Sequence, residues 1–174
     1  MRPSKYFSVC ALVALFVLAV AACGSSKSSV SANGAATATT TPGSATTASC
    51  GQTTKPQVSV PKTPAPTKLV VKDLKPGSGA AVKAGDNITV NYVGVHYTDG
   101  TQFDASWDRN QALPLQIGVG GVIPGWDQGL IGMKVCGERE LIIPPALAYG
   151  AQGSGSTIKP GETLVFVVDL VGIQ

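Results

Sequence analysis

The chain has 174 residues, with 13 Lys and Arg against 10 Asp and Glu, a formal charge of +3, and 44% hydrophobic residues. Its basic residues are scattered singly rather than gathered into a stripe, which excludes nucleic acid as a partner. It holds one histidine and no His or Cys cluster at metal-ligand spacing, so neither a metal nor a cofactor is expected.

Residues 6–22, YFSVCALVALFVLAVAA, form an apolar run behind Arg2 and Lys5. A basic start, an apolar middle and a small-residue finish read as a secretion signal over residues 1–22. The stretch VAAC at 20–23 resembles a bacterial lipobox, in which the cysteine is acylated and becomes the mature N-terminus. Cys23 is therefore the expected lipidation site, and the protein is expected outside the cytoplasm, lipid-anchored to the cell membrane or envelope. An uncleaved membrane anchor is the alternative. Against it, about 17 apolar residues are short for a span, and Gly24, Ser25 and Ser26 follow in place of a basic flank.

Residues 24–67 are mostly Ser, Thr, Ala, Gly, Pro, Lys and Gln, with no apolar period. Such a segment cannot bury enough surface to offset its chain entropy. Residues 23–67 are expected to be a lipidated, disordered tether, stiffened by Pro56, Pro61, Pro64 and Pro66. Residues 68–174, about 107 in number, suit one compact domain.

Cys10 leaves with the signal and Cys23 takes the lipid, so Cys50 and Cys136 remain as a pair in an oxidising compartment. Their bonding would pin the end of the tether to the domain. Two free thiols are the alternative.

Within the domain, LVVKDL at 69–74 reads as a strand ended by the turn-rich KPGSG at 75–79. In ITVNYVGVHY at 88–97 Ile88, Val90 and Tyr92 share one face and Thr89 and Asn91 the other. Asp99-Gly100 is a hairpin turn signal that returns TQFD at 101–104 antiparallel. An irregular polar stretch, 106–110, precedes a short strand around Leu113–Ile117.

Pro124-Gly125 then starts the only helix candidate. Trp126, Leu130 and Met133 fall at i, i+4 and i+7 on one face, and Gly129 and Gly132 keep the helix short. ERELII at 138–143 is a strand closed by Pro144-Pro145, and TLVFVVDLV at 163–171 is the last. The fold class expected is α+β: a twisted antiparallel sheet of about five strands packed on one short helix.

Most catalytic chemistries have no residues here. There is no nucleophile elbow, and neither phosphate-loop pattern can be completed around Gly118, Gly120 and Gly121, which read as a turn or bulge. His96 lies in mid-strand and reads as a surface or half-buried residue. What stands out is the gathering of Tyr92, Phe103, Val122, Ile123, Trp126, Tyr149 and Phe166 next to loops. An aromatic-lined concave site with few polar groups is a ligand pocket rather than an acid–base machine. The alternative is that these side chains are simply core.

The ordered series VNYVG at 90–94, DGT at 99–101, FDAS at 103–106, Asp108-Arg109, VIPGW at 122–126, MKV at 133–135, IPPALAYG at 143–150 and TLVF at 163–166 resembles the FKBP-type peptidyl-prolyl cis–trans isomerases, the macrolide-binding immunophilins. The resemblance covers residues 68–174 and implies a sheet wrapped around one short helix. It further implies that Trp126 is the floor on which the substrate proline packs, with Tyr92, Phe103, Val122, Ile123, Tyr149 and Phe166 as walls. Tyr149 would offer its hydroxyl and Ile123 its backbone N–H to ligand carbonyls. Asp104 would be the acidic group at the rim and Arg109 the partner that holds it. Tyr92, Phe103, Asp104, Trp126 and Tyr149 are thus the expected catalytic set, with Val122, Ile123, Phe166, Arg109, Leu113 and Ile158 binding substrate.

Three departures bear on preference. Leu113 and Leu115 stand where many relatives carry bulky aromatics. The loop SGSTIKPG at 154–161 is smaller than usual, with Lys159 replacing a frequent proline and Ile158 as its one apolar contact. Cys136 stands where Gly is common, which favours the disulfide. Expected partners are proline-containing unfolded or exported polypeptides, macrolides, and the membrane through the lipid. A monomer is expected, since no repeat or heptad suggests assembly. A non-catalytic proline-binding or chaperone module is the other function compatible with the pocket.

Overall fold

The structure is a computed structural model that describes residue 50 and residues 54–174. Residues 1–22, expected to be a secretion signal, and Cys23, the expected lipidation site, lie outside the described residues.

Alternating and continuous apolar runs build six strands: β1 (Val70–Lys75), β2 (Asn87–His96), β3 (Gln102–Ala105), β4 (Leu113–Gln116), β5 (Glu138–Ile143) and β6 (Leu164–Ile173). They form one antiparallel sheet in the order β1-β5-β6-β2-β3, with β4 also paired to β2. The count is six, where about five were expected. β2 is wide enough in register to hold β3 on its second half and β4 on its first, so both short strands share one edge. The polar stretch after β3 is a 3-10 turn, Trp107–Arg109, and a second such turn spans Pro145–Leu147.

The helix, α1 (Pro124–Gly129), is shorter than its apolar pattern suggests. Pro124 sits in its first turn, where a missing N–H costs nothing. Leu130 is already the C-cap, and Met133 follows in a turn where its N–H reaches the Leu130 carbonyl at 3.1 Å. Trp126, Leu130 and Met133 are nevertheless all buried, by a helix and then a turn rather than by one continuous helical face. Two helix glycines explain the close fit. A Cβ on Gly125 would meet Ile143 Cγ2 at 2.4 Å and one on Gly129 would meet Leu141 Cδ2 at 2.7 Å. Larger residues would lift α1 off β5 and thin the core between them.

That core holds Ile88, Val90, Trp126, Leu141, Ile143, Phe166 and Val168, among others. The opposite face of the sheet is covered too. Val93, Val95, Tyr97, Ala105, Ile142 and Val165 form a second buried cluster, against which Val58, Val60 and Trp107 pack. This double coverage explains why β6 is apolar without alternation from Leu164 to Val168: residues 164–170 are all buried, Asp169 among them.

The cover corrects the boundary drawn at residue 68. By composition residues 54–67 belong to the disordered tether, but their described course follows the domain. Besides Val58 and Val60, Lys55 pairs with Asp108 at 2.5 Å and Thr63 approaches the Tyr97 hydroxyl at 3.2 Å. The segment has too little apolar surface to fold alone, yet a preformed sheet face gives two valines somewhere to go. Cys50 and Cys136 are joined by a disulfide. Cys136 has a φ of 66°, a left-handed conformation that suits glycine. Among the described residues, no helix is long and apolar enough to cross a membrane.

Candidate functional site

Between the middle of the sheet and the N-terminus of α1 lies a cavity of about 500 Å³. Its lining is Tyr92, Phe103, Asp104, Leu113, Gly120, Gly121, Val122, Ile123, Trp126, Tyr149 and Phe166. Four aromatic rings set its shape. Trp126 meets Tyr92 and Phe166 edge-on, each with centroids 5.3 Å away, and Phe103 meets Phe166 edge-on at 5.5 Å. Such edge-to-face contacts suit the ring quadrupoles and fix each ring against the next. Gly94 makes the stack possible, because a Cβ there would lie 2.7 Å from Phe103 Cζ and 2.8 Å from Phe166 Cε1.

Trp126 is placed by its helix. Ile123 caps α1 in an extended conformation, its carbonyl accepting the Trp126 N–H at 2.9 Å. The Asp127 carboxylate accepts the N–H groups of Gly118 and Gly120, both at 2.8 Å, and so folds the glycine turn back beside the cavity. The anchor on the other side is Ser106, fully buried, whose hydroxyl accepts the Tyr92 N–H at 2.9 Å and donates to Asn91 at 3.0 Å.

The polar part of the site is a three-residue network at the rim. The Tyr92 hydroxyl donates to one oxygen of Asp104, and Arg109 donates to the other. Arg109 also donates to the Tyr92 hydroxyl at 2.8 Å, with its guanidinium carbon 5.8 Å from the Tyr92 ring centroid. Burial opposes ionisation of Asp104, but the hydrogen bonds from Tyr92 and Arg109 outweigh it and hold the carboxyl below its ordinary value. Burial, and then the Asp104 carboxylate, push Tyr92 the other way, above its ordinary value. Burial and the Asp104 charge do the same to Tyr149. Asp104 is thus a fixed anion, with Tyr92 donating to one oxygen and Arg109 to the other.

Nine of the expected residues line this one cavity: Tyr92, Phe103, Asp104, Leu113, Val122, Ile123, Trp126, Tyr149 and Phe166. Tyr149 stands at the mouth, 38% exposed, while Phe166 serves core and cavity at once. Three expectations are corrected. Ile158 is not in the lining; it is buried in the main core, since the hairpin bridge between Ser154 and Ile158 turns it inward. Arg109 does not line the cavity either. It acts through Asp104 and Tyr92, held on the 3-10 turn behind them. Leu115, expected beside Leu113, packs against the core instead.

Sequence reasoning missed Gly120 and Gly121, which border the cavity, and Ser106, which positions Tyr92 from behind. For Ser106 the signal was present in the FDAS stretch. The glycines carry no side chain from which a wall could be inferred. Among the described residues, no group of three or more His, Cys, Asp or Glu is placed to hold a metal ion.

Comparison with known proteins fits this geometry. The family model described as FKBP-type peptidyl-prolyl cis-trans isomerase matches residues 79–171. An FK506-binding protein of Streptomyces anulatus is 52% identical over 120 residues, spanning 68% of this chain and 97% of that protein. A probable FK506-binding protein of Corynebacterium glutamicum is 48% identical over 117 residues, spanning 67% and 97%. Among solved structures, the crystal structure of AtFKBP13 superposes with a TM-score of 0.58 at 36% identity, covering 63% of this chain and 96% of that one.

Proposed function

The chain belongs to the FKBP-type peptidyl-prolyl cis-trans isomerase family, and on that premise we propose that it accelerates X-Pro isomerisation in exported polypeptides as a monomer lipid-anchored at Cys23. The observation that carries the reading is the cavity itself: an indole floor, four further aromatic rings, and one carboxylate already bound to a tyrosine and an arginine.

An X-Pro bond exchanges slowly because its amide resonance must be broken, over a barrier of roughly 18–20 kcal/mol. Resonance places negative charge on oxygen and positive charge on nitrogen, a form that water supports. In the cavity the proline ring packs on Trp126 between Phe103, Val122, Ile123 and Phe166, where little water can follow. The planar, charge-separated amide loses more on entering than the twisted one does, so the barrier falls. The Ile123 N–H and the Tyr149 hydroxyl orient the flanking carbonyls, and Asp104 accepts from the substrate backbone at the rim. The reaction needs no nucleophile and no proton relay, in keeping with a site whose tyrosines and carboxylate are held away from neutral titration. The same cavity takes macrolides such as FK506.

The test is a refolding reaction limited by prolyl isomerisation, run with the disulfide intact. Acceleration that FK506 suppresses and Asp104→Ala weakens is the expected result. A folded protein that binds FK506 without accelerating refolding would overturn the enzyme reading in favour of a proline-binding module.

A further inference from the structure

Arg109 holds the cavity rim, yet a second carboxylate stands beside it in the chain. Asp108 and Arg109 are consecutive residues of the 3-10 turn Trp107–Arg109, no residue of which is buried. The Arg109 side chain is 49% exposed, so packing alone does not hold its long stem in one rotamer. Its charge acts on Asp104 and on Asp108 alike. Its hydrogen bonds nevertheless go to Asp104 and Tyr92.

Both oxygens of Asp108 are already taken. Lys55 Nζ donates to Oδ1 at 2.5 Å, and Gln102 Nε2, from β3, donates to Oδ2 at 2.6 Å. Lys55 comes from the segment that covers the second face of the sheet. In KPQVSVP at 55–61, Val58 and Val60 are half-buried and Gln57 and Ser59 exposed, the alternation of an extended chain lying on a surface. Among the described residues this segment pairs with no strand, so its side chains hold it. Val60 reaches the turn between β2 and β3, where a Cβ on Gly100 would lie 3.6 Å from its Cγ2, and Thr63 meets Tyr97. Pro56 restricts the backbone next to Lys55. Burial of the two valines thus brings Lys55 to Asp108, which lessens the ordering cost that makes most exposed ion pairs weak.

We propose that Lys55 is a positioning residue for the cavity rim: by occupying Asp108 together with Gln102, it leaves Arg109 to Asp104 and Tyr92. The segment at 54–67 then completes the ligand site from the opposite face of the sheet, although Lys55 lies outside residues 79–171 that the family model matches. The inference rests on the reading of this cavity as the ligand site.

The experiment measures FK506 affinity of the full disulfide-bonded chain by calorimetry at one pH and low salt. Wild type is compared with Lys55→Ala, Lys55→Arg, Asp108→Asn and the double variant Lys55→Ala/Asp108→Asn. Lys55→Ala should bind about threefold more weakly, the scale of one exposed ion pair, and Lys55→Arg should bind as wild type does. Asp108→Asn should also match wild type. The double variant should regain wild-type affinity, because no second carboxylate is left to draw Arg109 away. An unchanged affinity in Lys55→Ala overturns the proposal. So does a double variant as weak as Lys55→Ala, since Lys55 would then act only by anchoring its segment. Melting temperatures should stay within about 6 °C across the set, and affinity losses that follow melting would also overturn it. The Arg109 Nε–H resonance reads the same link without ligand: it should shift in Lys55→Ala and return in the double variant. That pattern in a chain that accelerates no prolyl isomerisation would fail the enzyme reading and leave the role of Lys55 standing.

Discussion

Arg109 donates to the Tyr92 hydroxyl at 2.8 Å and to the Asp104 carboxylate, while Tyr92 donates to that same carboxylate. The three close a ring at the cavity rim, so no member is free to move alone. Asp104 is half-exposed and surface ion pairs contribute only about 0–1 kcal/mol, which separates its effect on function from its effect on folding. Asp104→Ala should lower the catalytic efficiency on an X-Pro peptide about tenfold while moving the melting temperature by less than about 6 °C. Paired melting and kinetic measurements check this. A protein that no longer folds would make the carboxylate structural.

The ionisation of Asp104 also fixes a pH window. Its folded value lies below its ordinary one. The ionised group therefore stabilises the fold above the unfolded value, and this contribution fades as pH falls through the folded value. Wild type should exceed Asp104→Asn in stability at pH 6, and the difference should close below about pH 4. Urea midpoints across pH 2–6 measure it. A difference that persists at the acid end would mean that Asp104 acts by shape and not by charge.

Trp126 has the opposite balance. It is 4% exposed and in edge contact with two other rings. Trp126→Ala should cost about 3–5 kcal/mol, a fall in melting temperature of at least about 12 °C. Retention of full stability with loss of ligand would show that the indole is held loosely over the cavity and is not packed as its floor.

Gly94 tests the ring stack without touching a polar group. Gly94→Ala drives a methyl into Phe103 and Phe166 and should destabilise the fold by about 1–3 kcal/mol. FK506 affinity should fall about tenfold, since the displaced rings close on the cavity. Unchanged affinity in a folded variant would show that both rings can retreat from the cavity.

The disulfide joins residues 86 apart in sequence. Closing a loop of that length stabilises by roughly 4–5 kcal/mol in the chain-entropy account. Cys50→Ser should therefore melt well below wild type. Cys136 holds a φ of 66°, so Cys50→Ser/Cys136→Gly should recover about 1 kcal/mol relative to Cys50→Ser/Cys136→Ser. Thermal melts of the three proteins decide it, and equal stability of the two double variants would show that the backbone relaxes when the bond is gone.

Local chemistry wrote much of this molecule into its sequence. Period-two alternation gave β2 its buried Ile88, Val90 and Tyr92, and Pro124-Gly125 marked where α1 begins, because these signals act over a few neighbouring residues. The motif series from VNYVG to TLVF holds eight of the nine expected residues that line the cavity, Leu113 alone lying between its motifs. Tertiary structure decided what depends on contacts across the chain. Helix α1 ends at Gly129, and the burial of Leu130 and Met133 comes from the turn beyond it. Ile158 turns into the core because Ser154 bridges to it. Residues 54–67 have no pattern of their own, and become a cover only where β2, β5 and β6 present an apolar face to Val58 and Val60. His96 read as an ordinary strand residue, since a buried contact with Glu162, 66 positions away, leaves no trace in local spacing. Sequence fixes what a segment can do with its neighbours, whereas burial and charge pairing are set by whichever distant segment the fold lays against it.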